Sequence, residues 1–180
     1  MELTTKAIPD TFKQNIPKGM RLLWKQDIEV LLVESLFCPN GHNLLVDSVR
    51  IHDEPSIKLK VKLENQTGFV FLDSIWGSHA NLFTFMGHGL DPDAKVDAYC
   101  PYCDAHLNVA EGCADTDSEC NCDEQIVLFL PGKKNKIIIC PRISCPHHEL
   151  IIEEVPMPVL QELSDINYFG TGQEDIFGGI

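Results

Sequence analysis

Apolar residues in this chain come in short runs, and the clearest pattern among them is an alternation. Ile57, Leu59, Val61 and Leu63 interleave with Lys58, Lys60 and Lys62, a period of two that predicts a strand with one buried face and one lysine face. Glu64-Asn65-Gln66-Thr67-Gly68 has turn composition, and Phe69–Leu72 returns as a more fully buried strand, so the pair predicts a hairpin. A second hairpin is predicted where Ile126–Leu130 and Ile137–Ile139 flank the turn-forming stretch Pro131–Lys136. Further strands are expected at Val30–Val33 with Leu36–Phe37, at Leu44–Val46, at Val96–Tyr99, and around Leu107 and Val109. Helical spacing is confined to Val159–Ile166, which places Leu160 and Leu163 on one side. The expected fold class is mainly β, with antiparallel hairpins and little helix.

The same pattern divides the chain into four stretches. Residues 1–25 carry sparse apolar content with Pro9, Pro17 and Gly19, and read as an extended N-terminal arm. Residues 26–110 read as a β domain, 111–155 as a cysteine-rich hairpin, and 156–180 as an acidic C-terminal tail. The tail mixes Tyr168, Phe169, Ile176 and Phe177 with acids and glycines, a composition that suits docking on a partner groove.

Eight cysteines add candidate chemistry to this scaffold. The opening residues, Met1–Lys6, lack a secretory pattern, so a cytoplasmic location and reduced thiols are expected. Cysteine pairs in such a setting point to metal. Cys100-Pro-Tyr-Cys103 is a knuckle, a tight turn aiming two thiolates at one ion, and Cys38-Pro-Asn-Gly-His42 starts alike but ends on an imidazole. Cys120-Asn-Cys122 and Cys140-Pro-Arg-Ile-Ser-Cys145 flank the second hairpin. If its strands pair about Lys133, Ile126 lies near Cys140 and Cys122 near Ser144 and Cys145, so all four cysteines converge at the hairpin's mouth. Two metal sites follow as expectations: Cys38, His42, Cys100 and Cys103, and Cys120, Cys122, Cys140 and Cys145. Zinc suits both, and a four-thiolate set also suits rubredoxin-type iron or a cluster. Cys113 remains as a possible replacement ligand in either site and His147 or His148 in place of Cys145 or Cys120, while His106 is left over. Loop histidines His79 and His88, near Trp76, form a further candidate region.

Strand, knuckle, strand, repeated at Cys38 and at Cys100, resembles a zinc ribbon, with Asp104 standing where glycine is usual and His42 substituting for a cysteine. The Cys38–Val109 stretch also resembles the small zinc-binding subunit of ATP-dependent acetone carboxylases, in which a cysteine and Gly-His knuckle precedes strands and a later Cys-Pro-x-Cys. This chain lacks a second cysteine near His42 and has the extra cysteine hairpin. The resemblance implies a structural-zinc accessory subunit whose partners are other protein subunits.

Charge narrows the alternatives. The formal net charge is -13, which repels nucleic-acid backbones and anionic membrane surfaces. Basic residues gather in 1–25 and acids from Glu149 onward. No phosphate-binding glycine loop, dinucleotide fingerprint, nucleophile elbow or His-Glu-x-x-His stands in the sequence. A non-catalytic adaptor is therefore expected over an enzyme.

Overall fold

The computed structural model describes residues 7–85, 91, 93–111, 120, 122–143, 145 and 147–166. Eleven strands and two short helices are found among them. The strands are β1 (Met20–Lys25), β2 (Ile28–Val33), β3 (Leu45–Ile51), β4 (Glu54–Leu63), β5 (Gln66–Leu72), β6 (Asn81–Phe83), β7 (Asp97–Tyr99), β8 (Asn108–Val109), β9 (Gln125–Phe129), β10 (Lys136–Ile139) and β11 (His148–Ile151); the helices are α1 (Asp10–Lys13) and α2 (Met157–Ser164). Every strand pairing is antiparallel. The fold is thus mainly β, as the alternation predicts.

Strand β4 organises the largest sheet. One of its edges pairs with β5 along Ile57–Leu63, and β6 continues beyond β5. Its other edge is shared, with β3 meeting its first half and β7 its second. Ile57, Leu59, Val61 and Leu63 are buried, while Lys58, Lys60 and Lys62 face away from the core. The two-residue turns joining β1 to β2 and β3 to β4 place Gln26, Asp27, His52 and Asp53 at positive φ. Positive φ at both central residues is what a hairpin turn matched to strand twist requires.

The second sheet runs β11–β10–β9–β8. Ile126 lies opposite Ile139, so the hairpin is one residue tighter than pairing about Lys133 would make it. Phe37 bridges the two regions: its N–H donates to the Phe129 carbonyl (2.7 Å), and the Phe129 N–H returns to Phe37 (2.9 Å). This double bond sets the segment before Cys38 alongside the end of β9.

One hydrophobic cluster joins residues from both sheets, the β1–β2 hairpin and both helices. The N-terminal segment is read from sequence as an extended arm, yet it contributes buried Ile8 and Phe12, with Phe12 on α1 and Met20–Lys25 paired in β1. Two buried side chains suffice to dock a segment whose remaining residues are polar, because each removes well over a hundred square ångströms of apolar surface from water, on the order of 2–3 kcal/mol per side chain. At the other end, α2 buries Leu160 and Leu163, and the Trp76 indole N–H donates to the Leu163 carbonyl at 2.8 Å. A buried pair that the sequence reading does not single out ties the β3–β4 turn to the end of β5. His52 Nδ1 lies 2.6 Å from Asp73 Oδ2, and Asp73 also accepts from Ser78 Oγ (2.5 Å) and the Ile75 N–H (3.0 Å).

Phe12→Ala is expected to lower unfolding free energy by about 3–5 kcal/mol, the cost of truncating a fully buried phenylalanine. Equilibrium urea denaturation measures this, and a loss under about 1 kcal/mol would mean the N-terminal segment does not share the core.

Candidate metal centres

Each half of the first centre is a turn that local backbone bonds impose. The Gly41 N–H donates to the Cys38 carbonyl (3.0 Å) and the Cys38 N–H to the His42 carbonyl (3.1 Å). Gly41 has φ 87°, a conformation that costs glycine nothing and other residues strain. In the second turn the Asp104 N–H donates to the Cys100 carbonyl (3.0 Å) and the Cys100 N–H to the Ala105 carbonyl (2.9 Å). Asp104 takes φ 57° where glycine is usual. Its carboxylate reaches Lys60 Nζ at 2.7 Å, a bond that holds the Asp104 carboxyl below its usual range.

These turns are far apart in sequence and meet in space. The ligand atoms of Cys38, His42, Cys100 and Cys103 all lie within 4.8 Å of one another. Cys38 Sγ stands 3.5 Å from His42 Nδ1 and 3.9 Å from Cys103 Sγ. With zinc–sulfur bonds of about 2.3 Å and zinc–nitrogen bonds of about 2.0 Å, a tetrahedral site places sulfurs about 3.8 Å apart and sulfur from nitrogen about 3.5 Å. Both observed edges match that figure within about 0.1 Å, well inside the tolerance for a metal site.

The three thiols of this centre differ in how readily they ionise. Backbone N–H groups of His42 and Tyr102 point at Cys38 Sγ and Cys100 Sγ, each at 3.4 Å, and Asn40 Nδ2 donates to Cys103 Sγ at 3.4 Å. The Asn40 bond is the largest influence on Cys103, whose pKa is lowered to about 6. Burial is the largest influence on Cys100, whose pKa is pushed up to about 11. Burial also opposes ionisation of Cys38, but hydrogen bonds from His42 and Asn40 outweigh it and leave that thiol lowered. The neighbouring sulfurs of Cys38 and then Cys103 raise the pKa of the exposed His42 imidazole. Cys38 and Cys100 have no exposed surface, whereas His42 and Cys103 reach solvent, so the cage has a closed back and an accessible front.

The second centre lies at the mouth of the β9–β10 hairpin. Cys120, Cys140 and Cys145 bring their sulfurs within 4.8 Å of one another, with Cys120 Sγ and Cys140 Sγ 3.6 Å apart. The Cys145 sulfur, and then burial, raises the Cys140 pKa. Arg142 closes one side; its ion pair with Asp93, and then its contact with Cys120, raise its own pKa. Cys122 is not among the three. Its thiol contacts the Glu124 carbonyl at 3.4 Å instead. The next two residues have partners of their own, Asp123 in Lys95 (2.9 Å) and Glu124 in Asn108 Nδ2 (3.0 Å).

The remaining candidates lie elsewhere. His106 Nε2 is 3.4 Å from Asp97 and its ring lies 4.9 Å from Tyr99. His147 Nε2 is 3.9 Å from Glu149, while its carbonyl accepts from the Cys140 N–H. His148 sits between Trp76 (4.7 Å) and His79 (5.2 Å). His88 and Cys113 fall outside the described residues. No helix among the described residues is long and apolar enough to cross a membrane.

No protein-family model, curated protein or solved structure matches this chain.

The lowered Cys103 and the raised, buried Cys100 predict an order of reactivity in chelator-treated protein. At pH 7 Cys103 is mostly thiolate and Cys100 is protonated, so iodoacetamide should modify Cys103 before Cys100, read by peptide mass spectrometry. Equal rates would contradict the geometry.

Proposed function

We propose that each centre holds one zinc ion in a structural role and that the chain serves as an accessory or adaptor subunit of a larger protein assembly. The observation that carries the metal reading is the gathering of the ligand atoms of Cys38, His42, Cys100 and Cys103 within 4.8 Å of one another, with the Cys38–His42 and Cys38–Cys103 edges at the lengths of a tetrahedral zinc site. Three thiolates and one imidazole are a zinc set, and four protein ligands leave no coordination position for a substrate. Structural sites of this kind contribute an apparent binding free energy on the order of 10 kcal/mol, which is folding free energy when the apo turns cannot hold together alone. At the second centre, three thiolates beside Arg142 suit the same ion, and its fourth position falls to a ligand beyond these three. The adaptor reading rests on the closed first centre, because an ion enclosed by protein groups shapes a surface and performs no chemistry of its own.

Elemental analysis tests the metal. Two zinc ions per chain are expected, with Cys100→Ser and Cys140→Ser each removing one. Chelation should lower the melting temperature. Acidification should release metal, since both centres need deprotonated ligands and protons compete as the pH falls. Iron with visible absorption would replace zinc in this account. The adaptor role is tested by native separation of the source cell extract, where the chain should migrate within a complex larger than its own dimer; migration at its own mass would refute that role.

A further inference from the structure

The outward face of the large sheet carries lysines and aromatic rings in register. Residues directly opposite one another in an antiparallel ladder share a face. Lys58, Lys60 and Lys62 of β4 therefore stand beside Phe71, Phe69 and Thr67 of β5, and Lys60 and Lys62 stand beside Tyr99 and Asp97 of β7. Leu82 of β6, opposite Phe71, extends the face at an exposed position. Lys60 is held by Asp104. Lys58 Nζ lies 4.3 Å over the Phe69 ring, and Lys62 Nζ lies 4.9 Å over the Tyr99 ring. Among the described residues neither of these two ammonium groups is in an ion pair. A ring beneath an ammonium restrains a flexible side chain without neutralising it, so both charges are set in place for an incoming anion.

We propose that this face docks an extended acidic segment of a partner protein, with carboxylates on alternate residues. The inference rests on the adaptor reading and names its surface. Successive lysines on one face of a strand repeat every two residues, about 6.6 Å, and an extended partner chain presents alternate side chains at that same interval. The charge is complementary at Lys58 and Lys62, whose ammonium groups the rings of Phe69 and Tyr99 hold on this face. Single-stranded nucleic acid fits less well. It needs open ring faces for base stacking, and here a lysine covers both Phe69 and Tyr99.

The test uses the full chain and fluorescence anisotropy. The probe is a labelled peptide alternating Glu and Val. The comparisons are a peptide of identical composition with its Glu residues clustered at one end, and a single-stranded oligonucleotide. The alternating peptide should bind, and more weakly as salt rises. Lys58→Gln with Lys62→Gln should weaken it about fivefold, the worth of two exposed charge pairs. The clustered peptide should bind several-fold more weakly, and the Lys58→Arg with Lys62→Arg variant should retain binding. Equal binding of the two peptides, an unchanged double Gln variant, no peptide binding, or tighter lysine-dependent binding of the oligonucleotide would each overturn the proposal. Zinc content measured on the same samples separates the two readings: metal-replete protein that ignores the peptide fails only the docking claim, and metal-free protein that binds it fails only the metal claim.

Discussion

The meeting of two tight turns 65 residues apart along the chain is the constraint on which the rest of this molecule depends. Cys38 follows the Phe37–Phe129 bridge, and Cys100 ends a strand pinned to the centre of the largest sheet. Bringing such distant segments together costs chain entropy that local bonds do not return. The turns also gather three thiols and an imidazole, two of the thiols with no exposed surface, in a space where negative charges repel. The opposed pKa shifts of Cys100 and Cys103 express that conflict within one turn: burial suppresses one thiolate and the Asn40 bond favours the other. A divalent cation resolves it, because all three sulfurs can then ionise against a charge that lies among them.

The surrounding structure reads as support for that meeting point. β4 carries β7 on one edge and β5 on the other, so the second turn is fixed to the core through the strand with the most regular burial. Lys60 reaches from the outward face of β4 to Asp104 in the turn, and Lys133 of the β9–β10 connection donates to the Pro39 carbonyl in the first turn at 2.5 Å. The cysteine cluster at the other end of that hairpin sits where β9 and β10 separate. Both centres therefore lie where strands stop pairing.

How much of this was legible in the sequence depends on the kind of interaction. The alternation at 57–63 specified β4 and its buried face, because a period of two leaves little choice of face. The paired cysteine spacings marked the first centre ligand by ligand, because a knuckle is a local backbone motif that needs no knowledge of the fold. The second centre was legible in part. Cys120, Cys140 and Cys145 come together, but the convergence argument assumed a straight ladder beyond Ile126, and the chain there is steered by Lys95 and Asn108, partners from elsewhere in the sequence. Ile8 and Phe12 gave no periodic signal, since isolated apolar residues in a polar segment reveal their burial only when the receiving surface is known. The His52–Asp73 pair was invisible for the same reason: a buried hydrogen-bonded pair across two turns leaves no spacing rule.

Anomalous diffraction at the zinc absorption edge on crystals of the purified chain tests the central claim most directly. The account predicts a peak enclosed by Cys38, His42, Cys100 and Cys103, about 2.3 Å from each sulfur and about 2.0 Å from the imidazole nitrogen. Well-ordered turns with no peak between them, or a disulfide joining any two of those sulfurs in freshly prepared reduced protein, would contradict it.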